Sequence, residues 1–181
     1  MESTDVLVIG SGIAGLCAAI EAARTGATVT VASAGKTMSG SSFFPGTWGL
    51  GLIGPVNEDD EQDLIDTIQT VGGGVADPEL VQTFVHGIPQ AIEWLEQDLG
   101  VELQRPQSAK SAQQKQFIPC FDHKTRMWRG LTRKPLEDAC AAQIELLGIR
   151  LLPRHELIDL VEDSNGRITG AVLYDRVNEH L

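Results

Sequence analysis

Cysteine is scarce in this 181-residue chain, and basic residues are outnumbered by acidic ones. The three cysteines, Cys17, Cys120 and Cys140, share no CxxC spacing and make no even set. Neither a disulfide framework nor a zinc site is therefore expected, and no other metal-ligand spacing occurs. That usage fits a reduced, cytoplasmic setting. Lys and Arg together number 14 against 25 Asp and Glu, a net charge of −11. Nucleic acid and anionic membrane surfaces both demand a basic face, so neither is an expected partner. No apolar run approaches the roughly 20 residues that cross a bilayer. The N-terminus also lacks the basic start and apolar core of a secretion signal, and it enters a strand pattern almost at once.

What remains is ordinary globular material, 42% hydrophobic and 22% charged, with room for one domain and a small appendage. Val6 to Ile9 (VLVI) is a short, β-branched apolar run of the kind found in a buried parallel strand. After a glycine-rich turn, apolar residues recur at Ile13, Leu16, Cys17, Ile20 and Ala23, one face of a helix that Gly26 is placed to end. Ala27 to Ala32 reads as a second strand, which makes residues 1–32 a βαβ unit with a right-handed crossover.

Residues 33–55 are rich in Gly, Ser and Thr and show no clear period. A helix is expected from Asp59, with Leu64, Ile65, Ile68 and Val71 on one face. Another starts at Asp77 as N-cap with Pro78 in its first turn. Pro89 is expected to break or kink that run, leaving Ile92, Leu95 and Leu99 to a last helix closed by Gly100. Residues 104–116 are polar and read as a loop. Pro135 to Leu147 reads as a helix, followed by strands at Ile149–Leu152, Leu157–Val161 and Ile168–Tyr174, with Asn165-Gly166 signalling a two-residue hairpin. The expected fold class is α/β, a Rossmann-like parallel sheet of the FAD/NAD(P)-binding kind with a helical excursion and a β-hairpin. The expected divisions are 1–56, the βαβ unit and the loop after it; 57–103, the excursion; 104–134, a loop region; and 135–181, a helix and strands. With no helix or cap after the last strand, the sequence reads as truncated.

The sharpest motif is Gly10-Ser11-Gly12-Ile13-Ala14-Gly15, a GxGxxG between a strand and a helix. Its first glycine permits the tight turn, its second lets backbone approach a pyrophosphate, and its third allows close helix–strand packing. The diphosphate then faces the positive end of the helix dipole. An Asp or Glu is the usual ribose ligand about 20 residues on. Here Ser33 ends the second strand, with Lys36 close behind. A serine can still bond a ribose hydroxyl, whereas a serine with a nearby base can accept a 2′-phosphate. Both FAD and NADP remain open on these residues alone.

The segments Asp5-Val-Leu-Val-Ile-Gly-Ser-Gly-Ile-Ala-Gly-Leu16, Val31-Ala-Ser-Ala-Gly-Lys36 and Gly40-Ser-Ser-Phe-Phe44 together resemble the fumarate reductase/succinate dehydrogenase flavoprotein family. The L-aspartate oxidase branch is the most similar, because a serine commonly stands after the second strand there. The likeness continues more loosely through Glu93-Trp94-Leu95, Arg150-Leu-Leu152 and Asn165-Gly-Arg-Ile-Thr-Gly170. The resemblance implies an FAD-dependent oxidoreductase of a small substrate, a carboxylate or amino acid. Gly10, Ser11, Gly12, Ala14 and Gly15 would hold the FAD diphosphate. Ser33 and Lys36 would lie near the adenosine ribose, and Ser41 and Ser42 near the diphosphate or flavin. Leu157 matches the position whose backbone meets the adenine.

Two departures from the family carry weight. Residues 35–55 contain no histidine, so FAD is expected to be non-covalent. The family's Ala-Gln-Gly-Gly stretch is replaced by Pro45-Gly-Thr-Trp-Gly49, which alters the surroundings expected for the flavin. The family's later parts, with its catalytic His and Arg residues, have no counterpart here. No catalytic residue is assigned, and a second chain or further polypeptide is expected to complete the enzyme. His123, Arg126 and Arg129 form one cluster suited to a carboxylate, weighed against the plainer reading of a solvated basic loop. Trp48 suits either flavin stacking or core packing, and His86 and His155 read as structural. The competing functions are an NADP-dependent reductase and a non-catalytic nucleotide-binding subunit.

Overall fold

The computed structural model describes residues 3–44, 51–106, 117–118 and 122–181, without the side chains of Ser42, 117–118 and 122–125. Pro45–Gly49 with Trp48, the polar run 107–116 and Cys120 lie outside the described residues. The elements are β1 (Val6–Ile9), α1 (Ile13–Arg24), β2 (Val29–Ser33), β3 (Leu52–Gly54), α2 (Glu58–Val71) and α3 (Pro78–Glu93). They continue with β4 (Phe117–Ile118), β5 (Asp122–Thr125), β6 (Met127–Arg129), α4 (Arg133–Leu146), β7 (Arg150–Pro153), β8 (His155–Glu162) and β9 (Ile168–Asp175). The chain divides into two compact units, one of Met1–Thr47 with Glu137–Leu181 and one of Trp48–Leu136.

The first unit is built on a parallel sheet in the order β1-β2-β7. In register, Val6 faces Val29 and Val31 faces Leu151, so β2 is the middle strand, and all five of its residues are buried. Both faces of this parallel strand are covered, so its polar residues Thr30 and Ser33 are buried along with Val29, Val31 and Ala32. β2 begins at Val29 rather than Ala27, and the Thr28 carbonyl accepts from the Asp5 and Val6 amides at the start of the ladder. The Asp5 carboxylate also accepts from the Thr28 amide at 2.8 Å and its hydroxyl at 2.6 Å, closing the lower end of the sheet. α1 lays Leu16, Ala19 and Ile20, all fully buried, toward the sheet, and Gly26 ends it at φ +92°. Val6 and Gly10 donate their amides to Thr28 and Ala32 of the β2 side, so the alternating backbone groups of Leu7 and Ile9 turn away from β2. Among the described residues β1 pairs with β2 alone.

The β8–β9 hairpin departs from the two-residue turn that Asn165-Gly166 suggests. The Gly166 amide bonds the Asp163 carbonyl at 3.0 Å, and the Asp163 amide bonds the Arg167 carbonyl at 2.9 Å. Only Gly166 has positive φ, +76°. The loop is therefore three residues long, a turn closed by a glycine bulge. The Asp163 side chain drives it by accepting from the Asn165 and Arg167 amides.

The second unit packs α2 against α3 through Leu64, Ile65, Val81, Val85 and Ile88. Asn57 caps α2 by accepting from the Asp60 amide, and Asp77 caps α3 by accepting from Glu79 and Leu80. Pro89 does not end α3. The helix runs on to Glu93 and into one wide π turn, Trp94–Asp98. Ile88 and Leu95 are buried on either side of the proline, and burial of that continuing stripe offsets the roughly 3 kcal/mol cost of an internal proline. β3 pairs antiparallel with β6, and β4 with β5, short strands that the sequence did not announce.

Candidate functional site: the glycine loop

The turn from β1 into α1 is tight because Gly10 stands at φ +103°, a conformation that other residues rarely adopt. A Cβ on Gly15 would run into the Gly10 carbonyl oxygen, so only glycine lets the first turn of α1 lie this close to the end of β1. Gly12 is the N-cap of α1, with extended backbone at φ −73° and ψ 176°. No side chain caps the helix and its first turn holds no acid, in contrast to the acid-laden start of α2. The first amides of α1 thus keep their donors and their share of the helix dipole for an external anion. A tight glycine turn that leads directly into an uncapped helix start fits a diphosphate.

The structure brings several of the other sequence-derived residues to the same end of the sheet. Ser11 is buried, and its hydroxyl donates to the Lys36 carbonyl at 3.4 Å, tying the glycine loop to the segment after β2. The Gly10 amide reaches the Ala32 carbonyl at 2.7 Å, which sets Ser33 next to the loop. Ser33 is itself buried, while the Lys36 side chain is exposed. The Arg154 amide bonds the Gly35 carbonyl at 2.8 Å, so the start of β8 lies against the same segment, with Leu157 half-buried three residues further on. Ser41 is exposed in a short 3-10 turn, Ser41–Phe43, which buried Phe43 anchors. Ser42 has its backbone in that turn.

Of the His123, Arg126 and Arg129 cluster, Arg126 is neither solvated nor free for an external carboxylate, and the His123 side chain lies outside the described residues. Arg126 is completely buried, and its guanidinium pairs with the Asp60 carboxylate and, at 2.8 Å, with Asp63. The chain supplies the counter-ions of Arg126 itself, from the first turns of α2. The acid-rich start of α2 was the only local signal for this pairing, which spans more than sixty residues of sequence. His86 lies 3.9 Å from Glu61, and His155 bonds the Pro153 carbonyl at 2.9 Å, in keeping with structural roles.

Comparison with known proteins resolves the choice that the residues left open. The model of the FAD binding domain family matches residues 5–180. The chain belongs to that family. Its cofactor class is FAD, and the NADP alternative falls away. L-Aspartate oxidase of Halobacterium salinarum is 34% identical over 182 residues, covering 94% of this chain and 32% of that protein. Vinyl phenol reductase of Lactiplantibacillus plantarum is 27% identical over 178 residues, covering 95% of this chain and 34% of that protein. A flavocytochrome c3 fumarate reductase in its open conformation superposes with a TM-score of 0.73 at 22% identity, over 98% of this chain and 31% of that one. This likeness shows that the fold is shared. The chain spans about a third of the length of the curated relatives it matches. No helix among the described residues is long and apolar enough to cross a membrane.

Proposed function

We propose that this chain is the FAD-cradling portion of a flavin-dependent oxidoreductase that acts on a small carboxylate or amino acid in the cytoplasm. A second chain or further polypeptide completes the site. Gly10, Ser11, Gly12, Ala14 and Gly15 hold the diphosphate, Ser33 and Lys36 attend the adenosine ribose, and the Leu157 backbone meets the adenine. Ser41 and Ser42 lie toward the diphosphate or flavin.

The observation that carries this reading is the uncapped start of α1 pressed against Gly10, a backbone anion site that tolerates no side chain at residue 15. The hydroxyl of Ser11 fixes the loop from within, so the amides of the helix start are held ready before a ligand arrives. Ser33 replaces a carboxylate with a neutral acceptor at the ribose position, and Lys36 brings a cation into a chain of net charge −11. That pairing suits a cofactor already carrying two phosphate charges. When bound, FAD supplies the redox chemistry, while the protein supplies position and electrostatics. With no histidine in residues 35–55, the cofactor is held non-covalently.

The test is the visible absorption spectrum of the purified protein before and after acid precipitation. A flavin spectrum that passes into the supernatant is the expected result. Colour retained in the pellet contradicts non-covalent binding, and a colourless protein contradicts the cradle. Bound flavin that no small carboxylate or amino acid reduces points instead to a nucleotide-binding module without turnover.

A further inference from the structure

Two arginines three residues apart meet opposite fates in the second unit. Arg126 is fully buried and satisfied by the chain's own Asp60 and Asp63. Arg129, the last residue of β6, is half-buried and makes one hydrogen bond, from Nη1 to the Trp128 carbonyl at 2.9 Å. Its Nε is buried and has no acceptor. A buried donor left unpaired costs about 1–3 kcal/mol, and more when the group is charged. Native structures hold few such atoms, and each calls for an explanation.

The geometry around Arg129 is fixed before any ligand arrives. Register places it opposite Leu52 of β3, at the end of the β3–β6 pair. Trp128 is buried, and Cβ atoms on Gly51 or Gly130 would strike its indole, so the two glycines exist to let that ring in. The carbonyl that holds Nη1 therefore belongs to an immobilised residue. With Nη1 occupied, the remaining edge of the guanidinium is Nε with Nη2, two parallel donors at the spacing of carboxylate oxygens. The chain carries 25 acidic residues, yet no described carboxylate pairs with Arg129. Outside the described side chains the only acidic residues are Glu2 and Asp122.

We propose that the Nε–Nη2 edge of Arg129 is a carboxylate-binding site, filled by a small-molecule carboxylate or by an acidic side chain from a partner polypeptide. The site stands independently of the flavin cradle, since every atom in the argument lies in the second unit. The two sources share one chemistry and separate on titration.

The experiment is thermal unfolding of the purified full chain in sodium malonate, with sodium chloride at matched ionic strength as the control. Wild type is compared with Arg129→Met and Arg129→Lys. For a small-molecule site, malonate raises the wild-type midpoint beyond chloride. Arg129→Met then abolishes that shift, and Arg129→Lys, which keeps the charge but loses the fork, weakens the response without abolishing it. For an acidic side chain from a partner, malonate is without effect on the assembled protein and Arg129→Met weakens the assembly. The proposal is overturned if malonate acts like chloride on all three proteins and Arg129→Met is as stable as wild type or more so. That outcome is what replacing an idle buried donor by an apolar chain of similar length should give. Should Arg129→Met fail to fold, the Arg129→Lys titration still decides. A colourless wild type that nevertheless answers to malonate would sink the flavin reading and leave this one standing.

Discussion

A methyl group at residue 15 has no room, because the Gly10 carbonyl already occupies its place. Gly15→Ala is expected to cost about 1–3 kcal/mol in chemical denaturation, the range for overpacking a close contact, and to lower the flavin content of the purified protein. A variant that keeps both stability and flavin would show that the cradle is looser than described. Arg126→Met strands Asp60 and Asp63 beside an apolar side chain. Breaking a buried ion pair costs about 3–5 kcal/mol, and the lower end applies because Asp63 is a third exposed. Urea unfolding of the variant against wild type measures it. These two positions also mark the limits of reading the sequence. Gly15 is legible because its requirement is local, set by the strand before it and the helix it opens. Arg126 is not, because its partners lie on α2, more than sixty residues earlier, and no periodicity announces a pairing at that range. Ser33 and Lys36 stood out by spacing alone, while the hydroxyl of Ser11 reaching the Lys36 carbonyl had no signal in the sequence.

At the scale of elements, α1 and α4 lie side by side, joined by Arg24 donating to Gln143 at 3.3 Å. Burial, and then the negative charge of Glu21, raises the Cys17 thiol pKa, while burial and the neighbouring Cys17 push Cys140 up to about 11. Both thiols stay protonated near neutrality. Alkylation mapped by peptide mass spectrometry at pH 8 should be slow at Cys17 and Cys140 in the folded protein and fast in urea. Rapid modification of Cys140 under native conditions would contradict its packing. The turn after β9 makes the opposite shift. The Asn178 side chain, with the Val177 and Asn178 amides, lowers the Asp175 carboxyl from 3.8 to about 2. A lowered folded-state value means that this carboxylate contributes its full share of stability above pH 4. The contribution is lost as pH falls through the window from about 4 to about 2. Asn178→Ala should move the Asp175 titration, followed by NMR, back toward 3.8. The apolar stripes of α1, α2 and α3 were plain in the sequence, as was the Asp77 cap of α3, whereas Asn57 was not expected as the cap of α2. The hairpin loop was misjudged because the Asp163 carboxylate, two residues before Asn165, sets the turn rather than the Asn-Gly pair itself. Pro89 lies within α3 without ending it, because propensity is weak against a buried stripe that continues past it.

For the whole molecule, cofactor and stability are linked by mass action. FAD at about 100 times its dissociation constant should stabilise the protein by about 2.7 kcal/mol, read as a raised unfolding midpoint. ADP, which carries the diphosphate and adenosine but no flavin, should give part of that shift and NADP none. Equal shifts from ADP and NADP would mean that the glycine loop discriminates nothing beyond phosphate. The side of β1 away from β2, unpaired among the described residues, has a different kind of consequence. Its four residues are apolar, with no lysine, proline or bulge to guard them, and the peptide groups of Leu7 and Ile9 face away from β2. Such a rim works as a template on which an exposed strand of another polypeptide can add. The solution behaviour of this polypeptide is thus a matter of concentration and waiting time as well as of sequence, and whatever covers that rim acts as its chaperone.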